Sequence, residues 1–343
     1  MKRYIKVTGE NIDKYLERYF VLACSIRNSR IKAKKLSILE VLCCLYPLQG
    51  IFIVNGPLSD VKGLISFFIL KEHKDILPNY LKKLGYCNKF YILDFDNPEL
   101  ESTNEIRSKN PLIWKKRKFS IRPFYKQSQQ VYMEQSPHNR HFRIIGHDNI
   151  VKDVYGYRGD GSEKGRRALP VEDARCLVNL AVPSKIKKMI DPFAGGGGIV
   201  YQAKYIDKNI EVFSIDIDRV LAPGLVLYGS KHYVGNSAEI DLDGHIFDAI
   251  ITEVPFALEA LDDICNTLIN LNQNLSQSGR IVIMFSKQQF DAIKKCVKKL
   301  NWHIVMSCLV NRKGTGVMVM VCVKSYKIYK QAKQIIDVIK HIY

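Results

Sequence analysis

The stretches KMIDPFAGGGGIVYQAKYI, residues 188–206, and EVFSIDID, residues 211–218, decide the fold. Lys188–Ile190 reads as a short strand that runs into Asp191. Pro192-Phe193-Ala194 then leads to four consecutive glycines, Gly195 to Gly198. Ile199–Tyr205 continues as a helix. Glycines let the backbone turn tightly or left-handed and let a ligand come close. In an open α/β sheet the first strand-to-helix turn is where a nucleotide-like ligand lies. A dinucleotide fingerprint would need G-x-G-x-x-G, but counted from Gly195 the sixth position is Val200. The second strand, Glu211–Ile215, ends in Asp216-Ile217-Asp218. A carboxylate at such a strand end can accept charge-assisted hydrogen bonds from both hydroxyls of a ribose. A helix-capping role suits Asp218 better.

Working outward, strand and helix alternate from about residue 160. Val171–Val182 places Val171, Ala174, Leu177, Val178 and Ala181 on one helical face. Lys231–Val234 and Phe247–Val254 read as strands, and Leu258–Leu275 as a helix. Arg280–Phe285 is a buried-type strand and Lys287–Leu300 a basic amphipathic helix. Trp302–Val310 and Val317–Val323 flank the turn Arg312-Lys313-Gly314-Thr315-Gly316 and predict an antiparallel hairpin. The pattern predicts a Rossmann-like doubly wound sheet over residues 160–343, with an antiparallel hairpin strand at its edge. The tail Tyr326–Tyr343 is a further basic amphipathic helix, for which packing is the default.

The rest of the chain predicts a smaller N-terminal α/β module over residues 1–105 and a connecting segment over residues 106–159. At 343 residues the chain has room for about two domains. Strands are expected at Arg3–Thr8 and Ile51–Asn55, and helices at Ile12–Ser25, Lys32–Leu45 and Leu58–Phe68. The longest apolar stretch, Leu36 to Val54, is broken by Glu40, Pro47, Gln49 and Gly50. It reads as a buried helix, a turn and a strand rather than a membrane span of about 20 unbroken residues.

Hydrophobic residues make up 47% of the chain and charged residues 25%, which excludes a disordered polymer. The formal charge is +18, a surplus that points to a polyanionic partner. Residues 1–150 hold 26 Lys+Arg against 14 Asp+Glu, and residues 151–343 hold 26 against 20. The N-terminal part therefore carries most of the attraction. Between Arg107 and Arg143 ten basic residues meet one acid, Glu134, with Trp114, Phe119, Phe124, Tyr125, Tyr132 and Phe142 interleaved. Lys115, Lys116, Arg117, Lys118 and Arg122 are the candidate phosphate contacts. The rings could stack on unpaired bases, or the segment could be a solvated linker whose rings pack on a domain. Nine cysteines without a CxxC pair argue against a disulfide framework or zinc knuckle and fit a reducing cytosol. No signal peptide and no metal site are expected.

Asp191-Pro-Phe-Ala-Gly resembles the first motif of class I S-adenosylmethionine (SAM) dependent methyltransferases, and Asp216 the ribose-binding acid of the second. The resemblance assigns Asp191, Phe193, Gly195, Gly197, Asp216, Asn236 and Ser237 to the cofactor. Asn236 and Ser237 stand where that family often has an acidic residue near the adenine. Upstream, RRALPVEDARCLVNLA, residues 166–181, is similar to the helix preceding the first motif in the tRNA guanosine N2-methyltransferases and their relatives, often fused to THUMP-type RNA-binding modules. The resemblance covers about residues 160–325, and it implies SAM as cofactor and RNA, most plausibly tRNA, as partner. A divergent THUMP or ferredoxin-like module at the N-terminus follows from position alone.

Amino methyltransferases end the fourth strand in Asp/Asn-Pro-Pro-Tyr/Phe, and this chain has Glu253-Val254-Pro255-Phe256. In the family, the first residue and the carbonyl after it accept hydrogen bonds from the target's exocyclic amine, and the aromatic stacks on the extruded base. Phe256 keeps the stacking surface. Glu253 keeps an acceptor but adds a methylene. Val254 replaces a proline, and Pro255 still biases it towards extended backbone. The expectation is a cytoplasmic RNA methyltransferase acting on an exocyclic amine, guanine N2 in tRNA foremost. A catalytically impaired RNA-binding or complex-forming relative is the competing reading. A DNA adenine or protein glutamine methyltransferase is a third, since those enzymes carry the same fourth motif.

Overall fold

A computed structural model describes residues 4–5, 7–54, 63–98, 112–127, 133–135, 141–145, 151–155, 169–242, 244–312 and 315–342. The chain divides into two compact units. The first is Met1–Ser128 with Lys333–Tyr343, and the second is Gln129–Ala332.

The first unit runs β1 (Tyr4–Ile5), α1 (Ile12–Arg18), β2 (Tyr19–Ile26), α2 (Lys34–Cys44), β3 (Phe52–Val54), β4 (Leu64–Leu70), α3 (Pro78–Leu81), β5 (Cys87–Asp94), β6 (Leu112–Trp114) and β7 (Arg117–Lys126). Its sheet has the order β1-β3-β4-β2-β5-β7-β6. Two expectations fail here. The helix predicted over Ile12–Ser25 stops at Arg18, and Tyr19–Ile26 is a central strand between β4 and β5. Leu64–Leu70 is likewise a strand, not the end of a helix; residues 58–62 lie outside the described ones. Both runs are rich in aromatic and branched residues and buried almost throughout, so period-based reading has no polar face to detect. Leu36–Val54 does form a buried helix followed by a strand. Buried Glu40 in α2 accepts the backbone N–H of Tyr86 at 3.0 Å and that of Gly85. Among the described residues no helix is long and apolar enough to cross a membrane.

Of the segment expected as a connector, Leu112–Trp114 and Arg117–Lys126 are strands in the sheet of the first unit. Trp114, Phe119 and Ile121 are buried in the core of the first unit with Val21, Phe68 and Leu93. Full burial of such side chains contributes about 1.5–3 kcal/mol each. The rings of Trp114 and Phe119 are thus committed to packing rather than to stacking on bases. Tyr132 and Arg107 lie outside the described residues, as do Arg166, Arg167 and Ala168.

The second unit begins with β8 (Met133–Gln135), β9 (His141–Ile145) and β10 (Val151–Tyr155), a three-stranded antiparallel sheet. It continues with α4 (Val171–Leu180), β11 (Lys188–Asp191), α5 (Gly198–Ile206), β12 (Glu211–Asp216), α6 (Ala222–Leu227), β13 (Ser230–Val234), β14 (Phe247–Glu253), α7 (Leu261–Asn274), β15 (Leu275–Ser286), α8 (Phe290–Lys299), β16 (His303–Arg312), β17 (Thr315–Val323) and the start of α9 (Tyr326–Ile342), whose residues from Lys333 onward belong to the first unit. Its sheet has the order β13-β12-β11-β14-β15-β17-β16. The first five strands are parallel neighbours. β17 pairs antiparallel with both β15 and β16. This is the predicted Rossmann-like sheet with its hairpin, and the reversed strand lies one place in from the edge.

Near-continuous apolar runs make β14 and the second half of β15, from Ile281 to Ser286, two-face-buried strands. Ile264, Leu268 and Leu271 of α7 and Ile293, Cys296 and Val297 of α8 close over them in one core. Buried Arg175 of α4 donates to Gln202 Oε1 of α5 at 2.8 Å and lies 4.5 Å from the Tyr205 ring centre, which ties α4 to α5. A bulge interrupts the β16–β17 ladder, where Ile304 pairs with Cys322 and Met306 with Val321.

Candidate functional site

Ligands of doubly wound sheets lie beyond the carboxyl ends of the strands, where the order reverses. Here that point falls between β11 and its two neighbours, β12 and β14. Asp191, Asp216 and Glu253 end these three strands.

The glycine turn forms one half of this crevice. Gly195 and Gly197 have φ of 50° and 80°, left-handed values that suit glycine. A Cβ on Gly197 would come within 2.8 Å of the Tyr228 ring, so that glycine is also required by packing. A Cβ on Gly195 would meet nothing within 4 Å. The space beside Gly195 is therefore open. Asp216 fastens the turn. Its Oδ2 accepts the Gly195 N–H at 2.7 Å, and its Oδ1 accepts the Asp218 N–H at 2.9 Å. Its backbone carbonyl accepts the Gly235 N–H at 3.0 Å. A carboxylate has about four lone-pair sites, so each oxygen keeps acceptor capacity for a ligand hydroxyl. Asp218 accepts the Val220 N–H at 3.1 Å and caps the next helical turn.

Asp191 is a strut beneath the turn. It is buried, and its Oδ1 accepts from Thr252 Oγ1 at 2.7 Å and from the Phe193 N–H at 3.3 Å. Burial pushes its pKa up to about 7, against the lowering effect of those hydrogen bonds. The Phe193 ring packs against the sheet core.

Asn236 and Ser237 do not present free side chains. The Asn236 Oδ1 accepts the Ala238 N–H at 3.0 Å, and its amide donates to Glu239 Oε1 at 3.3 Å. Ser237 is buried, with its hydroxyl 2.8 Å from Thr267 Oγ1 of α7. The structure thus sets the Ser237 hydroxyl, expected as a cofactor contact, against α7.

The other half of the crevice is the segment Glu253–Ala257. The Glu253 carboxylate pairs through Oε1 with the Arg312 guanidinium at the end of β16. The same guanidinium lies 3.9 Å from Asp173 Oδ2 in the first turn of α4. One cation thus sits between two carboxylates. Burial pushes the Glu253 pKa up to about 7; Arg312 opposes that rise and Asp173 adds to it. Val254 is buried, and its N–H donates to the Met284 carbonyl at 2.9 Å, which extends the sheet by one bond. Phe256 is half-buried and Pro255 exposed. Gln289, fully buried, donates from Nε2 to the Pro255 carbonyl at 2.8 Å and the Ala257 carbonyl at 2.9 Å.

Of the basic candidates, Lys115 and Lys116 form the exposed turn between β6 and β7, both at positive φ. Arg117 lies 3.4 Å from Asp13, and Arg122 lies 2.5 Å from Asp94. Lys118 is exposed on β7. Among the described residues no group of three or more His, Cys, Asp or Glu could hold a metal ion. Asp173, Thr252 and Arg312 are not among the expected site residues, whereas Gln289 belongs to Ser286–Gln289, a segment after a strand that reads as a weak candidate for lining the cleft. Asp173 lies within the 166–181 stretch and Thr252 directly before Glu253, and Arg312 has only its position at a strand end.

No family model matches the chain. The chain is similar to the tRNA (guanine(10)-N2)-dimethyltransferase of Methanothermobacter thermautotrophicus, with 32% identity over 94 residues. That segment spans 25% of this chain and 27% of the relative, so the chain matches about a quarter of the relative's length. Among solved structures, TrmN from Thermus thermophilus aligns over 89% of this chain and 99% of its own, at 12% identity and a TM-score of 0.48. The N-methyltransferase NodS from Bradyrhizobium japonicum, solved with S-adenosyl-L-homocysteine, aligns over 45% of this chain and 87% of its own, at 13% identity and a TM-score of 0.38.

Proposed function

We propose that the class I methyltransferase fold of the second unit binds SAM and methylates an exocyclic amine of RNA, with guanine N2 of tRNA as the leading substrate. The observation that carries this reading is the pairing of two half-sites at one reversal point. Asp216 clamps an open glycine turn beside β11, and the Glu253–Phe256 segment ends the next strand. The open space at Gly195 fits a cofactor that approaches the backbone closely. The similarity to a tRNA guanine-N2 dimethyltransferase supports the choice of target.

SAM supplies an electrophilic methyl group on a sulfonium. The residues of this chain bind and orient. Asp216 offers its remaining lone pairs to the ribose hydroxyls. Asp191 and Thr252 hold the turn at a fixed height above the sheet. Arg312 bonds Glu253 Oε1, and Oε2 is the acceptor for the target amine. That bond points the nitrogen lone pair at the methyl group, which is catalysis by positioning. Phe256 provides the stacking face for an extruded base. The basic first unit supplies phosphate contacts, with Lys115 and Lys116 foremost.

A second reading has one specific observation behind it. The Arg312–Glu253 ion pair occupies an acceptor that an amine needs, as in a relative that binds RNA without modifying it. Titration calorimetry with SAM, followed by transfer of labelled methyl groups to unmodified tRNA and mass analysis of the nucleosides, separates the two. Cofactor binding with N2-methylguanosine formation is the expected result. Tight tRNA binding without SAM binding or transfer would favour the silent relative.

A further inference from the structure

We infer that Gln289 is a positioning residue that replaces the rigidity of the proline absent at Val254. This rests on the reading of the Glu253–Phe256 segment as the target-amine loop. A proline at the second position would fix φ near −65° without help from elsewhere. Valine leaves that angle free, so the loop must be restrained from outside. Two restraints are visible. The N–H that valine has and proline lacks is spent on the Met284 carbonyl at 2.9 Å. Gln289 then holds the two carbonyls that flank Phe256, those of Pro255 and Ala257, from a single amide nitrogen.

The amide is itself anchored. Its Oε1 accepts the Ser286 N–H at 3.0 Å, and the side chain is fully buried. Both Nε2 hydrogens and one Oε1 lone pair are therefore used, which fixes which way the amide faces. Ser286 ends β15, the strand paired with β14. The clasp runs from the sheet, through one side chain, to the loop around the stacking aromatic. Neither a carboxylate nor an alkyl group at position 289 can donate to either carbonyl. Misplacing a reacting group by about 1 Å can cost on the order of 100-fold in rate.

The test compares wild type with Gln289→Glu, which keeps the Ser286 acceptor and the volume but loses both donors. Gln289→Ala serves as the second variant should the glutamate form not fold. The tRNA kcat is expected to fall roughly 10- to 100-fold, with the tRNA KM and the SAM affinity within about twofold of wild type. Amide hydrogen exchange at Val254 and Ala260 should accelerate while that of β11 and β12 stays unchanged. An unchanged kcat in an active enzyme, or unchanged exchange in the loop, overturns the proposal. So does a SAM affinity that falls in step with kcat, because the effect would then be general unfolding. Should wild type transfer no methyl group, the proposed function fails, and the exchange comparison still decides whether Gln289 holds the loop.

Discussion

The two halves of the crevice are built by different means. The glycine turn is held by the backbone N–H groups of Gly195 and Asp218 converging on the Asp216 carboxylate, with the Gly235 N–H on the Asp216 backbone carbonyl. The Glu253–Ala257 segment is held by the side chains of Arg312 and Gln289, which arrive from strands and turns much later in the chain. The first construction depends on backbone shape and tolerates neighbours of many kinds. The second depends on individual side chains, so single substitutions should loosen it selectively.

The sharpest test of that contrast is Arg312→Ala. It leaves Glu253 facing Asp173 with the cation between them gone. Breaking a buried pair in this way costs about 3–5 kcal/mol. A fall in melting temperature of roughly 6–12 °C is expected for a unit of this size, read by differential scanning calorimetry. An unchanged transition would show that the pair behaves as a surface contact and that the second half is not held as described.

Asp191→Asn probes the strut shared by both halves. Burial raises this carboxyl from 3.8 to about 7, so the folded state keeps a proton that the unfolded chain releases. Its contribution to stability is fully present below about pH 4 and is lost as pH rises to about 7. Asparagine keeps the acceptor for Thr252 and Phe193 and removes the titration. The variant should be more stable than wild type at pH 8, on the order of 4 kcal/mol, and nearly equal to it at pH 4. Urea melts at the two pH values measure this. Parallel pH dependence in the two proteins would count against a buried, proton-holding Asp191.

Asp216→Ala attacks the first half directly. It removes the acceptor for two backbone N–H groups and the proposed acceptor for the ribose. SAM affinity should drop roughly 100-fold, about 2.7 kcal/mol, by calorimetry, whereas the exchange of Val254 should not change. Linked loss at both places would erase the distinction between the halves. Ser237→Ala gives the smallest effect, about 1 kcal/mol of stability for the lost bond to Thr267. Its SAM affinity should match wild type, because the hydroxyl faces α7; a tenfold loss would return Ser237 to the ligand site.

The same contrast explains what could be read in advance. Asp191, the glycines and Asp216 are close in sequence, and each residue type meets a local need, a tight turn or a strand-end acceptor. The alternation of strand and helix along the second unit followed from its apolar runs, whereas the order of the strands in the sheet did not. Arg312, Gln289 and Asp173 act across distances that only the folded sheet creates, so their pairing with one another and with Glu253–Ala257 is not written in their sequence neighbours. Tyr19–Ile26 and Leu64–Leu70 were obscured for another reason. Strands covered on both faces lose the two-residue alternation and look like any buried segment. The rings of Trp114 and Phe119 stand among lysines and arginines in the sequence, yet strand alternation turns them inward.

The irregular pairing at Ile304–Met306 carries a consequence for the whole crevice. Side chains along a strand alternate between faces, so one extra residue that is not absorbed turns everything beyond it to the other side. The bulge takes up Val305 locally, and the ladder resumes with Met306 opposite Val321 and closes with Arg312 opposite Thr315. Arg312 therefore takes its face from β17, which is itself in unbroken register with β15. Deleting Val305 would leave these pairs in place and keep the guanidinium on the side of Glu253. The charge partner of Glu253 is thus aimed by the strand beside it, not by the count of residues before it.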